Sequence, residues 1–261
     1  MEKPVTLDAP LTSLPGIGPQ RAALFARLNV RTVGELLRLY PRAYEDRTRL
    51  VSIASLEAGT PACFEAAVVT TPRTNRIPKP GSRMLEVTKF TVADDTGRLN
   101  LTFFNAAHSA GALRVGERYC FYGVLTGDFA AYGMTNPLFE PCDGPAHVTR
   151  RILPVYPLTA GLTNSMVLRA QAQAVSRCAG LLPETLPPEL LRRYGLCGAA
   201  EACREIHCPT SAAALGQAQR RLVFEEFFLF SAALAIVRSR RTAHSCPAWQ
   251  TELTPFFAAL P

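Results

Sequence analysis

Apolar residues recur along this chain at two different spacings, and the change of spacing divides it into parts. Near the N-terminus, Gln20-Arg21-Ala22-Ala23-Leu24-Phe25 and Val33-Gly34-Glu35-Leu36-Leu37 carry helical spacing, with Thr32 placed as an N-cap and Pro41 as a stop. From about residue 50 to residue 145 the period is two. Residues 62–70 are apolar and β-compatible, and Leu99, Leu101 and Phe103 put every second side chain on one face. Asp94-Asp95-Thr96-Gly97 is the hairpin turn before them. Within residues 84–94 the alternation changes phase, from Leu85 and Val87 to Phe90 and Val92, which predicts a β-bulge. Residues 106–113 read as a short helix, Val115-Gly116-Glu117 turns the chain, and residues 119–125 and 132–139 supply a fourth and a fifth strand. Five short strands with a helix between the third and fourth follow the order of an OB-fold barrel. The stretch 72–83 then becomes the loop joining the first two strands.

Helical composition returns after Arg151-Ile152-Leu153-Pro154-Val155-Tyr156-Pro157, an extended, proline-punctuated strap. Residues 164–179, a segment opening at Pro187-Pro188, and residues 218–241 are the candidate helices. Leu222, Phe224, Phe228, Leu229, Ala232, Leu234 and Ile236 leave little of the last one polar, so it packs against something: it is a rigid spacer to a further domain or an oligomerisation surface. The expectation is a multidomain α+β chain. Residues 1–49 form a helical segment with a helix-hairpin-helix-like motif, 50–148 an OB-fold barrel, and 149–261 a strap and helical linker.

Composition narrows the functional classes. With 261 residues, 48% of them hydrophobic, the chain can bury one large core or two modest ones. It has neither a signal-peptide pattern nor an apolar run of membrane-spanning length, so the expected location is cytoplasmic, with no membrane partner. The eight cysteines are scattered without a Cys-x-x-Cys pair and read as reduced thiols. Cys197, Cys203, His207 and Cys208 cluster, but their spacing matches no common zinc pattern, and no metal site is expected. The net charge of +7 rests on 25 arginines and 3 lysines, a balance suited to forked contacts with phosphate.

Two places concentrate that chemistry. Leu14-Pro15-Gly16-Ile17-Gly18-Pro19 opens directly into a helix, so Gly16 and Gly18 allow close backbone approach at a helix N-terminus and Arg21 adds a charge: a phosphate seat, or else an ordinary turn between packed helices. Arg73, Arg76, Lys79, Arg83 and Lys89 face a single acid, Glu86, and contact DNA backbone or form a solvated tip. Four duplex phosphates neutralised there would give a log–log salt slope of about −3.6. Enzyme chemistry is poorly supported. Asp94 and Asp95 are turn residues, no Gly-x-Ser-x-Gly elbow occurs, and His207-Cys208 lacks an orienting group, so no catalytic residues are expected.

Six segments taken in order resemble the N-terminal half of the RecG family of branched-DNA helicases: Leu14-Pro15-Gly16-Ile17-Gly18-Pro19, Tyr40-Pro41-Arg42-Ala43-Tyr44-Glu45-Asp46-Arg47, Asp94-Asp95-Thr96-Gly97 with Phe103-Phe104-Asn105, Leu153-Pro154-Val155-Tyr156-Pro157-Leu158-Thr159-Ala160-Gly161-Leu162, Ile206-His207-Cys208-Pro209, and Arg220-Arg221-Leu222-Val223-Phe224-Glu225-Glu226. The resemblance implies an ATP-driven motor acting on stalled forks and recombination junctions such as Holliday junctions, with an OB-fold wedge that parts the strands. It implies Phe104 as the splitting ring. His108 stands where the family usually has a second aromatic, a Tyr. Implied partners are branched DNA, the C-terminal motor domains and a single-strand-binding protein. ATP and Mg belong to that motor. This sequence contains no Gly followed by Lys and hence no Walker loop, so it is expected to be a DNA-recognition fragment that needs no cofactor and is inactive alone. A motor-free binder of single-stranded DNA or RNA on the same barrel is the alternative.

Overall fold

The computed structural model describes residues 5–78, 84–127, 132–144, 148–240 and 254–259. In chain order the elements are α1 (Pro19–Ala26), α2 (Val33–Leu37), β1 (Ala43–Asp46), β2 (Leu50–Val51), β3 (Pro61–Val68), β4 (Arg73–Ile77), β5 (Leu85–Ala93), β6 (Arg98–Phe104), α3 (Ala107–Ala110), β7 (Arg118–Thr126), β8 (Gly133–Thr135), β9 (Leu138–Pro141), β10 (Ile152–Val155), α4 (Asn164–Cys178), α5 (Pro188–Tyr194), α6 (Ala199–His207), α7 (Ala212–Arg240) and α8 (Thr254–Ala258). They divide into two units, residues 1–221 and 222–261. Among the described residues no helix is long and apolar enough to cross a membrane.

The barrel is a ring of five strands. β3 pairs with β5, β5 with β6, β6 with β8 in parallel, β8 with β7, and β7 returns to β3, with α3 between the third and fourth of them. This is the OB-fold order expected from the alternation. Phe64, Ala66, Val68, Phe90, Val92, Leu99, Leu101, Phe103, Tyr119 and Phe121 fill the interior. Phe90 stacks on Phe103 at 5.7 Å between centroids, and Phe139 meets Phe103 edge-on at 5.9 Å. Asp94 closes the β5–β6 hairpin: its Oδ1 accepts from the N–H groups of Thr96 and Gly97 and from the Thr96 hydroxyl, while Oδ2 accepts from Ile53 N.

Three local expectations change. No bulge interrupts β5, whose pairing with β6 runs unbroken from Val87↔Phe104 to Ala93↔Arg98. Val87 lies on the opposite face from Phe90 and Val92, and it is buried there. The fifth strand is split into β8 and β9, because Asn136 takes a left-handed conformation, φ 46°, and Pro137 follows it. The stretch 72–83 is not simply a loop: residues 73–77 form β4, an arm paired to β5 from Arg73↔Lys89 to Ile77↔Leu85.

Helices from both ends of the first unit share a second core, in which Leu11, Leu14, Phe25, Val33 and Leu36 pack with Tyr156, Val167, Ala174 and Cys203. Thr32 and Glu35 form a capping box at the start of α2. The carbonyls at its other end are capped by distant side chains. Gln171 Nε2 donates to Leu36 O (2.7 Å) and Leu39 O (3.3 Å), and His207 Nε2 donates to Leu37 O (2.8 Å). The other His207 nitrogen, Nδ1, accepts from the buried Tyr156 hydroxyl at 2.9 Å. β1 pairs antiparallel with β10, from Ala43↔Val155 to Asp46↔Ile152, so the chain enters and leaves the barrel side by side. Arg47 locks this junction: it bonds Glu45 and Val148 O, and its guanidinium lies 3.8 Å from the centroid of the Tyr122 ring.

The second unit, described by itself, holds the α7 residues from Leu222 and α8. Phe224 stacks on Phe228, while Phe227, Phe230 and Ile236 are exposed.

Two stability predictions follow from these contacts. An alanine Cβ at Gly133 would lie 2.9 Å from Asn100 O, a backbone atom of the neighbouring strand. Gly133→Ala should therefore destabilise the barrel by about 1–3 kcal/mol in urea unfolding. His207 is held neutral because burial lowers its pKa from 6.5 to about 4, against the opposing effect of the Leu37 hydrogen bond. The unfolded chain takes up that proton first, so the contribution is complete above pH 6.5 and is lost as pH falls toward 4. Between pH 7 and 4.5 the loss should be about 2–3 kcal/mol, measured as the difference between the pH profiles of wild type and His207→Gln.

Candidate nucleic-acid interface

A strand that puts Phe103 inside must put Phe104 outside. Phe103 is 4% exposed and Phe104 38%, on the face that also carries Asn100 and Thr102 of β6. Both sides of Phe104 are pinned. Its N–H donates to Asn136 Oδ1 at 2.7 Å, and Asn136 N donates to Thr102 O at 2.8 Å, so the left-handed turn that splits the fifth strand also holds the end of β6. The next residue, Asn105, is left-handed too, with φ 51°. Asn105 N donates to Glu86 O at 2.8 Å and its Oδ1 accepts from Glu86 N at 3.2 Å. The ring thus projects from a backbone fixed to two neighbouring strands. His108, four residues on, is exposed on α3.

A groove of about 700 Å³ runs along the same outer face. Its floor is Lys89 and Thr91 of β5, Asn100 and Thr102 of β6, and Gly133 and Thr135 of β8, and its rims are Thr70, Thr71 and Arg73 on one side and Thr126, Gly127 and Tyr132 on the other. Among the described residues, none that lines the groove is acidic. Thr91 donates to Asn100 Oδ1 at 2.9 Å, and Thr70 Oγ1 accepts from Thr91 N at 2.7 Å, so the floor is a lattice of polar groups flanked by two cations. Phe104 lies two residues beyond Thr102, about 7 Å further along the strand. Exposed aromatic rings next to cations and hydroxyls provide what a single nucleic-acid strand needs: faces to stack on and donors for its phosphates.

The predicted residues separate accordingly. Arg73 lines the groove opposite Lys89 in the β4–β5 register. Arg76 is exposed but engaged, with Nε 3.1 Å from Glu86 Oε1. Lys79 and Arg83 lie outside the described residues. Gly16, Gly18 and Arg21 do not line the groove. At that turn Gly16 is left-handed with φ 79°, Gly18 is extended as the α1 N-cap, Pro19 brings no N–H, and Arg21 Nη1 folds back onto Gly16 O at 2.5 Å. The cation proposed for a phosphate there is thus engaged by the turn itself.

Sequence reasoning missed the groove's polar floor. Lys89 aside, the signal lies in the outward half of the alternation, Thr91 and Asn100-x-Thr102, whereas the sequence reading follows the inward half.

A family model described as the RecG wedge domain matches residues 11–177. The ATP-dependent DNA helicase RecG of Escherichia coli strain K12 is 32% identical over 98% of this chain, and that of Synechocystis sp. is 30% identical over 86%. The chain spans 38% and 28% of the length of these two relatives. A solved structure of RecG bound to a three-way DNA junction superposes with a TM-score of 0.84 at 25% identity, covering all of this chain and 36% of that one. With the family model matching more than half of the chain and spanning the whole barrel, this chain belongs to the RecG wedge domain family.

Proposed function

We propose that this chain is the part of an ATP-dependent DNA helicase that recognises branched DNA and parts its strands, serving repair and recombination at stalled forks and Holliday junctions. The observation that carries the reading is Phe104, an exposed ring pinned at the end of a cation-flanked groove. Opening a duplex costs about 1.4 kcal/mol of stacking per step. Stacking one base on an aromatic ring returns about 1–3 kcal/mol, enough to hold one terminal pair open. Phe104 takes that position, His108 offers a smaller second face, and the groove leads one separated strand past Lys89 and Arg73. Sustained unwinding needs an external source of work. ATP and Mg would be bound by motor domains of the whole helicase, and the strand splitter would decide where the duplex parts. The other partners on this reading are branched DNA and, at forks, a single-strand-binding protein in the cytoplasm.

Phe104→Ala should lower the preference for a three-way junction over an equal-length duplex by about 5- to 150-fold in fluorescence anisotropy, with the salt slope unchanged. Equal affinity of the wild-type chain for junction and single strand would favour the single-strand or RNA binder instead. Arg73→Gln with Lys89→Gln should have the complementary effect: weaker binding to every DNA, little change in branch preference, and a salt slope on duplex shallower by about 1.8.

A further inference from the structure

Away from the groove, on the outer wall of β3, β7 and β9, three donor side chains converge. Cys120 stands directly across from Glu65 in the β3–β7 register, and Cys142 follows the last residue of β9. The two sulfurs are 3.3 Å apart, and both Sγ atoms and a carboxylate oxygen of Glu65 lie within 4.8 Å of one another. Cys120 is fully buried, while Cys142 and Glu65 are half-buried. Arg118 Nε donates to Glu65 Oε1 at 2.7 Å.

We propose that Cys120, Cys142 and Glu65 bind a thiophilic divalent cation of the zinc class. Two sulfurs and a carboxylate oxygen are a donor set that such an ion accepts. Tetrahedral bonds of about 2.3 Å would set the sulfurs about 3.8 Å apart, an opening of about half an ångström. A disulfide would require closure to about 2.0 Å, a larger movement. Charge also balances. Two thiolates and one carboxylate carry −3, the ion supplies +2, and Arg118, already bonded to the carboxylate, supplies the remaining +1. That neutrality suits a site partly withdrawn from water, and a hydrogen-bonded ligand carboxylate is the usual outer support of a metal. Binding releases the two thiol protons to solvent, and water takes the fourth position on the accessible side. The ion would tie three segments of the barrel wall together. The other cysteine cluster, around His207, is not equivalent, because both ring nitrogens of His207 are committed to Tyr156 and Leu37.

The test uses the full 261-residue chain, metal-stripped and kept reduced with a phosphine, titrated with Co²⁺ alone. The expected result is a near-ultraviolet sulfur-to-cobalt band that saturates at one equivalent and is displaced by Zn²⁺, with Zn²⁺ alone raising Tm. Cys142→Ser, at a half-buried position, should abolish both the band and the Tm shift, Glu65→Gln should weaken Co²⁺ binding at least about tenfold, and Cys208→Ser should leave all three readouts intact. Absence of the band from wild type, or its survival in Cys142→Ser, overturns the proposal.

Discussion

The pleat of β6 constrains this molecule most. Successive side chains on a strand point to opposite faces, so Phe103 and Phe104 cannot both be buried, and one strand must serve the core and the surface at once. Phe103 fits between Phe90 and Phe139, and this fixes the register of β6 against β5. A slip of one residue would put Phe104 inside and Phe103 out, exchanging every side chain on the strand. The interior packing that stabilises the barrel therefore also aims the external ring, and Asn105 and Asn136 prevent the last residues of the strand from fraying.

A comparable economy holds the helical core together. α2 is too short to satisfy its own last carbonyls, and Gln171 and His207, more than 130 residues away, donate to them. Burying those donors ties three distant segments into one body. It also forces His207 to remain a neutral imidazole between a hydroxyl donor and a carbonyl acceptor. The histidine that sequence inspection raised beside Cys208 as a nucleophile's partner is thus a structural joint.

What could be read from the sequence followed from local rules. The Thr32 cap, the Asp94 turn and the inward residues of β6 each depend on a few neighbouring positions, and the structure has them where those rules put them. The failures share a different origin. β4 is exposed at all five positions and polar at four of them, so it has no burial period to detect and is a strand only because β5 offers it a ladder. Val87 looks like a change of phase because the opposite face of β5 is also buried at that position. Tyr132, Lys89 and Thr91 meet only once the barrel closes. Cys120 and Cys142, 22 positions apart, meet only because β7 and β9 are neighbours.

The division of labour along one edge of β5 has its own consequence. Residues 85–89 of that edge carry β4, whereas Val92 and Ala93 at its far end pair with β3 to seal the ring. Since β4 pairs with β5 alone among the described residues, it is an attachment to the cylinder and not one of its staves. The arm can therefore be lengthened, trimmed or given different charges over evolutionary time without unzipping the wall, so that its sequence and the integrity of the scaffold drift independently of each other.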